Sequence, residues 1–466
     1  MLGLGYVWAG ESQRSIASTT AQLLRIVGTK NGAPTGAGEH LVTNQKMHPG
    51  RNVAVRVAVI LGILVLTLTS VLRADDVVTH WHKVMLATTA AGGTDPITST
   101  RTAAIVQAAV FDSINGIQRK YTPIHFVVRA PEDASIAAAV IESAYAILVA
   151  LYPDQQADLR AERRAALAQL HAPAGAIKKG REFGALVADD ILNWRSTDGF
   201  APSLPPFLGG TNIGQWRPTP PDFRPGALPQ VATMEPWSIQ SPSQFRPAGP
   251  PSLTSVRYAT VFNEVKTMGS GVESPRTDDQ TLLAFFWAGN TPGYWNRIAD
   301  TMVARHPHLS LLRKARIFAL LNLSMSDAAI ACWDAKYHYQ FWRPITAITN
   351  ADLDGNPATD VDVDWTPLLG GTPAHPEYPS GHSTVSASAA AVLAHFFGDN
   401  TSFRIDSERV PGLWRSFPSF SRAVLEVNDA RVFAGIHFRT SCLDGNALGT
   451  NVARFVLRHS MRSLED

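Results

Sequence analysis

The chain has 466 residues, is 45% apolar and 17% charged, and carries a formal net charge of +2 without any basic block. That leaves room for a sizeable core and gives no support for nucleic acid or an acidic partner. Its two cysteines exclude a disulfide scaffold and a cysteine-based zinc site.

Residues 1–46 lack sustained apolar periodicity and read as a disordered extension or as sequence upstream of the true start. Met47 opens a second beginning, in which Arg51 and Arg56 precede an apolar run from Val57 to Leu72 and Ala74 follows. This is the layout of a secretory signal peptide over 47–74. The run, at about 16 residues, is shorter than the roughly 20 of a membrane span. Leu72 is a poor residue two before Ala74, so an uncleaved N-terminal anchor over 57–72 is the other reading. Either way the expectation is export, periplasmic or extracellular.

Residues 75–466 read as one helical domain in three parts. In the first, 75–199, Val106, Val110, Ile114 and Ile117 form an apolar stripe at spacings of four, four and three. Ala134–Leu151, Asp154–Leu170 and Ala174–Trp194 read as further helices, closed by Pro153, Pro173 and Gly199 in turn. None has the character of a membrane span, so no bulk membrane domain is expected. In the second part, 200–251, prolines crowd in and helical periodicity vanishes. Trp216, Phe223, Trp237 and Phe245 suggest that this connection packs onto the protein, where it can also wall a site. In the third, 252–466, helices resume at Ser255–Met268, Asp278–Ala288 and Pro292–Arg305. Leu309–Phe341 is long, with a break expected near Ser324–Asp327. Asn350–Gly355 begins like a calcium loop, but position twelve is Val361 where glutamate is needed, so it reads as an acidic turn. The fold class is all-α, packed helical bundles.

Three stretches carry chemistry. Ser380 precedes an apolar run that ends at Gly398, the pattern of an N-capped helix. Pro379 fixes the entry, Gly381 permits close approach, and free N–H groups aim at one spot suited to an oxyanion beside His382. Upstream, Lys336 and Arg343 are seven apart, which puts them within about 20° on one helical face. Downstream, Arg431 and His437 are six apart, roughly 120° off one face, and converge only if the helix breaks at Gly435. Together these make an oxyanion pocket.

Lys-x6-Arg-Pro, then Pro-Ser-Gly-His, then Arg-x5-His resembles the signature shared by vanadium-dependent haloperoxidases and type 2 phosphatidic acid phosphatases. Asp327–Ala335, Phe341–Pro344, Phe285–Gly289 and the helix Arg101–Ile117 resemble the soluble haloperoxidase branch, and the likeness runs from about residue 75 to the end. The resemblance implies a vanadate cofactor bonded to His437, with phosphate as a surrogate. Its oxygens would meet Lys336, Arg343, Ser380, Gly381 and Arg431, with His382 as acid/base. Hydrogen peroxide and halide would be the small-molecule substrates, with an organic acceptor for the halogen. The alternative reading is an acid phosphatase in which His437 attacks phosphorus; a third is an inactive anion-binding homologue.

The sequence departs from the pattern in places. Phosphatases of this kind carry Ser before the third-stretch Arg and Asp four after the last His; here these are Ala430 and Ser441, with Asp444 three further on. That leaves His437 without an evident carboxylate and weakens the phosphatase reading. The acid partner of His382 falls near Asn290, which is not acidic. Chloroperoxidases of the family have Phe where His375 stands and bromoperoxidases have His, whereas Trp333 matches a Trp of the chloroperoxidase pocket. This mixture implies bromide and iodide oxidation with little chloride activity. Cys332 and Cys442 are either bridged, as export permits, or two buried thiols.

Overall fold

Capping residues set where most helices begin. The computed structural model describes residues 76–201 and 204–464; the expected extension over 1–46 and the expected signal peptide or anchor over 47–74 lie outside them. Asp95 accepts from Ile97 and Thr98 N–H with Pro96 in the first turn, and Ser135, Ser255, Ser310 and Ser419 cap in the same way.

The first bundle is α1 (Val77–Ala91), α2 (Pro96–Gln118), α3 (Ile136–Leu151), α4 (Gln156–Ala168) and α5 (Ala174–Ser196). After the proline-rich connection come α6 (Val256–Met268), α7 (Asp278–Phe286), α8 (Thr291–Ala304), α9 (Leu311–Tyr339) and α10 (Pro344–Ile348). The last group is α11 (Gly381–Phe397), α12 (Phe420–Phe433) and α13 (Arg439–His459). A two-stranded antiparallel hairpin, β1 (Phe403–Asp406) with β2 (Trp414–Phe417), sits between α11 and α12 and pairs Phe403 with Phe417. The fold is all-α.

α9 is the axis: α2 packs on it from the first bundle, and α11 and α13 from the last. It is long and apolar enough to cross a membrane, but 94% of its apolar window is buried in the protein, so it is a core helix. It does not break at Ser324–Asp327. Ser324 and Ser326 are buried, and the Asp327 carboxylate accepts from the backbone N–H of Trp237, Ser238 and Ile239 at 2.7, 2.9 and 3.1 Å. The polar run that reads as a helix break is the dock for the proline-rich connection.

That connection packs as expected at Trp216, which is fully buried, at Trp237, which donates to Ser326 Oγ, and at Phe245, which meets Phe455 edge to face. Phe223 is the exception, 60% exposed at a positive φ of 48°. The 350–355 turn holds its own carboxylate: Asp354 accepts from Asn356 N–H and the Thr359 hydroxyl. No group of side chains suited to a metal ion occurs among the described residues.

Two apolar clusters meet at the motif stretches. The larger contains Trp333 and Ile436; the smaller contains Trp342, Tyr378 and Phe438. α11 and α13 approach closely because Gly449 faces α11: a Cβ there would lie 1.9 Å from the Thr384 carbonyl.

Candidate active site

Ser380 caps α11, its Oγ accepting from Ser383 N–H at 3.4 Å and from Ser383 Oγ at 3.1 Å. Gly398, at φ 80°, ends the helix. With the Ser383 N–H taken up by the cap, Gly381 and His382 are the helix-start positions whose N–H groups have no intrahelical acceptor. A Cβ on Gly381 would project between the Trp333 ring at 3.4 Å and Lys336 Cε at 4.0 Å.

Lys336 and Arg343 do converge, but not along a helical face. α9 stops at Tyr339, and Gln340 takes a left-handed cap at φ 49°. Arg343 is extended (ψ 156°), as the residue before a proline must be. The turn brings its guanidinium back: Nη1 donates to Ile436 O at 2.8 Å and points at His437 Nε2 at 3.3 Å. Nη2 reaches Pro373 O at 3.1 Å and His375 Nδ1 at 3.0 Å. Lys336 is fully buried, and its ammonium donates to the carbonyls of Pro376, Glu377 and Pro379 at 2.9, 2.9 and 2.5 Å. It clamps the turn that leads into Ser380, and meeting an anion requires it to release one of these bonds.

Arg431 and His437 are brought together across a helix break. α12 ends at Phe433, and Gly435 turns the chain at φ 76°. A Cβ on Gly435 would meet Gly269 O at 2.4 Å and Pro367 Cα at 2.9 Å, so the turn needs glycine for both reasons. Arg431 donates to Trp287 O at 3.2 Å, and its Nε is buried without a protein partner. His382 Nε2 is likewise buried and unpartnered.

The carboxylate that His437 lacks in the third stretch comes from the second. Glu377, fully buried, lies 2.8 Å from His437 Nδ1 and accepts from Phe438 N–H at 3.0 Å and from Ser441 Oγ at 2.6 Å. Sequence reading passed over this residue because it lies 60 positions before His437; an acidic residue in an otherwise apolar Pro-Glu-Tyr-Pro turn was the available signal. Asp444 is not the partner: it accepts from Tyr378 Oη at 2.7 Å. Among the described residues His382 forms no ion pair, and the backbone that faces it is that of Gly289. Asn290 instead caps α8, accepting from Gly293 N–H and donating to Ser99 Oγ.

The electrostatics call for an anion. Burial pushes Arg343 down to about 9, with Arg431 adding to the push, and burial takes Arg431 down to about 10. Burial also lowers the Lys336 ammonium. A guanidinium stays charged in proteins, so the repulsion is relieved by a bound anion rather than by proton loss. Burial, then Arg343, Lys336 and Arg431, hold His437 far below its ordinary range; burial and Arg431 do the same to His382. Both imidazoles are therefore neutral. Burial pushes the Glu377 carboxyl up, against the Ser441 hydroxyl, Arg343 and Lys336. Three buried cations, a glycine-opened helix start and two unpartnered donor or acceptor atoms fit a tetrahedral oxyanion such as vanadate or phosphate. His375 is partly buried beside Arg343, its ring 5.0 Å from that of Trp333. Cys332 and Cys442 are free buried thiols.

Residues 316–466 match the family model of the VCPO second helical-bundle domain. A curated relative, the vanadium chloroperoxidase of Curvularia inaequalis, is 26% identical over 198 residues, 34% of this chain and 31% of that protein's length. A bacterial vanadium-dependent iodoperoxidase structure superposes with a TM-score of 0.72 at 26% identity, covering 83% of this chain and 96% of that one. A bacterial vanadium-dependent chloroperoxidase in its holo form shares the fold, with a TM-score of 0.64 at 19% identity, covering 78% of this chain and 93% of that one. With the anion cradle assembled from the same three motif stretches, the chain belongs to the superfamily that unites vanadium-dependent haloperoxidases with type 2 phosphatidic acid phosphatases.

Proposed function

We propose that the protein is a vanadate-dependent haloperoxidase that oxidises bromide and iodide with hydrogen peroxide. The observation that carries this reading is the convergence of Lys336, Arg343 and Arg431 around His437 Nε2, with Arg431 Nε and His382 Nε2 left unpartnered. Vanadate, when bound, supplies a Lewis acid that activates peroxide without itself changing oxidation state. His437 presents its Nε2 lone pair as the anchor. Arg343 and Arg431 neutralise oxyanion charge, and the Ser380 hydroxyl and Gly381 N–H add neutral donors. His382, neutral and unpartnered at Nε2, takes the proton of incoming hydrogen peroxide. The 26% identity to an iodoperoxidase supports the easily oxidised halides, as does His375, whose imidazole keeps the pocket wetter than a phenyl ring would.

A second reading is favoured by Glu377. A carboxylate on His437 Nδ1 at 2.8 Å is what a nucleophilic histidine needs, so the missing Asp at position 441 no longer counts against phosphoester hydrolysis. One experiment separates the readings: halogenation with peroxide after vanadate loading, beside phosphate-ester hydrolysis without vanadate. Halogenation with bromide and iodide, and little with chloride, is expected, and it is abolished in His437→Ala, which also loses vanadate. Hydrolysis alone supports the phosphatase, and neither activity supports an inactive anion-binding homologue. We place the protein outside the cytoplasm, working on small molecules alone.

A further inference from the structure

The structure assigns to Glu377 the positioning of His437: its carboxylate fixes the imidazole proton on Nδ1 and so leaves the Nε2 lone pair facing the anion cradle. This rests on the reading of His437 as the residue that bonds the oxyanion.

Both oxygens of Glu377 are already placed as acceptors, Oε1 for the Phe438 N–H and Oε2 for the Ser441 hydroxyl, so the 2.8 Å contact between Oε1 and Nδ1 is satisfied when Nδ1 carries the proton. The other side of the ring gives the same answer independently. Arg343 Nη1, which can only donate, stands 3.3 Å from Nε2. One neighbour demands a donor and the other an acceptor, and only the Nδ1–H tautomer satisfies both.

Glu377 is itself held by four further hydrogen bonds. Ser441 Oγ donates to Oε2 at 2.6 Å and Phe438 N–H to Oε1 at 3.0 Å, so the carboxylate cannot rotate away. Its own N–H donates to Phe341 O at 2.9 Å, and Lys336 donates to its carbonyl at 2.9 Å. The side chain thus belongs to the second motif stretch, its backbone is tied to the first, and its carboxylate governs the third. Ser441 stands where the phosphatase pattern places an aspartate. The serine instead orients a carboxylate supplied by the second stretch. Partners of this kind to a ligating histidine set its tautomer and basicity.

The test compares Glu377→Gln and Glu377→Ala with the wild type, without vanadate, by 15N NMR of the imidazoles, assigning His437 by its disappearance in His437→Ala. The wild type is expected to show Nδ1–H and bare Nε2. Gln retains that tautomer, because Phe438 N–H holds its amide oxygen toward the ring; Ala yields a mixture. Titration calorimetry with vanadate and with inorganic phosphate is expected to show affinity falling roughly ten- to a hundred-fold in Ala and by less in Gln. Wild-type His437 protonated at Nε2, or a folded Ala variant with unchanged tautomer and affinity, overturns the assignment. If Ala fails to fold, Gln decides: affinity for both anions equal to the wild type overturns it. A wild type with the assigned tautomer that binds neither anion refutes the reading of His437 as the anchor and leaves the positioning intact.

Discussion

Arg343 Nη1 lies 3.3 Å from His437 Nε2 while donating to Ile436 O at 2.8 Å, so a cation from the turn after α9 is held against the imidazole from the turn before α13. Removing the guanidinium takes away both a charge-assisted contact to the anion and the tether between the two turns. A hydrogen bond to a charged group is worth about 1.5–3 kcal/mol. Arg343→Ala and Lys336→Ala are each expected to weaken vanadate binding roughly ten- to a hundred-fold, read by calorimetry. Lys336→Ala should also lower the melting temperature, because three buried carbonyls lose their donor. Binding unchanged in both variants removes these cations from the cradle.

His375 sits where its ring meets both Trp333, at 5.0 Å between centroids, and Arg343 Nη2, at 3.0 Å from Nδ1. An apolar ring here would strip water from chloride, which is more tightly hydrated and harder to oxidise than bromide or iodide. His375→Phe is expected to raise the chloride-to-bromide rate ratio several-fold, measured as steady-state rates with chloride, bromide and iodide. Wild-type chloride oxidation as fast as bromide, or a ratio that does not move, removes His375 from halide selection.

Asp327 concerns stability rather than chemistry. Its buried carboxylate accepts from three consecutive N–H groups of the proline-rich connection. An unsatisfied buried donor costs about 1–3 kcal/mol, so Asp327→Ala is expected to lose several kcal/mol in denaturant unfolding. Asp327→Asn should lose less, keeping one acceptor oxygen. A midpoint unchanged in Asp327→Ala would show that the connection does not depend on this dock.

His82 gives a pH dependence. It is fully buried, stacked on Phe318 at 3.9 Å, with Gln107 Nε2 and Asn296 O each 3.3 Å from a ring nitrogen. Burial first, and Lys83 next, push it from 6.5 down to about 4. The unfolded chain therefore binds the proton more readily between these values, and stability is present above pH 6.5 and lost as pH falls toward 4. The contribution is roughly 3 kcal/mol at most. Denaturant unfolding across that window should show a shallower slope in His82→Gln than in the wild type; identical slopes refute it.

Much of the fold was legible because caps and prolines are local signals. Ser135, Ser255 and Ser380 each begin a helix within two residues of where the sequence places it. The cradle was legible because its three stretches have internal spacings tied to turns, and Gly435 breaks the helix as the Arg431–His437 offset demands. Two expectations failed for the same physical reason. Ser324–Asp327 read as a break, and Lys336–Arg343 as one helical face, because a local reading cannot see partners far along the chain. Asp327 is explained by residues about 90 positions away, and Arg343 by a turn that Pro344 imposes. Glu377 escaped notice on the same account, its partner lying 60 positions downstream.

The cradle draws Lys336, Ser380 and His437 from positions more than forty residues apart, and each is buried only when all three stretches are in place. An unfolded chain offers the anion nothing comparable, so any oxyanion that enters binds the native state alone. Mass action then makes vanadate or phosphate a thermodynamic stabiliser: at a hundred times its dissociation constant an exclusive native-state ligand adds about 2.7 kcal/mol. The melting temperature of this protein should accordingly depend on whether the buffer contains phosphate.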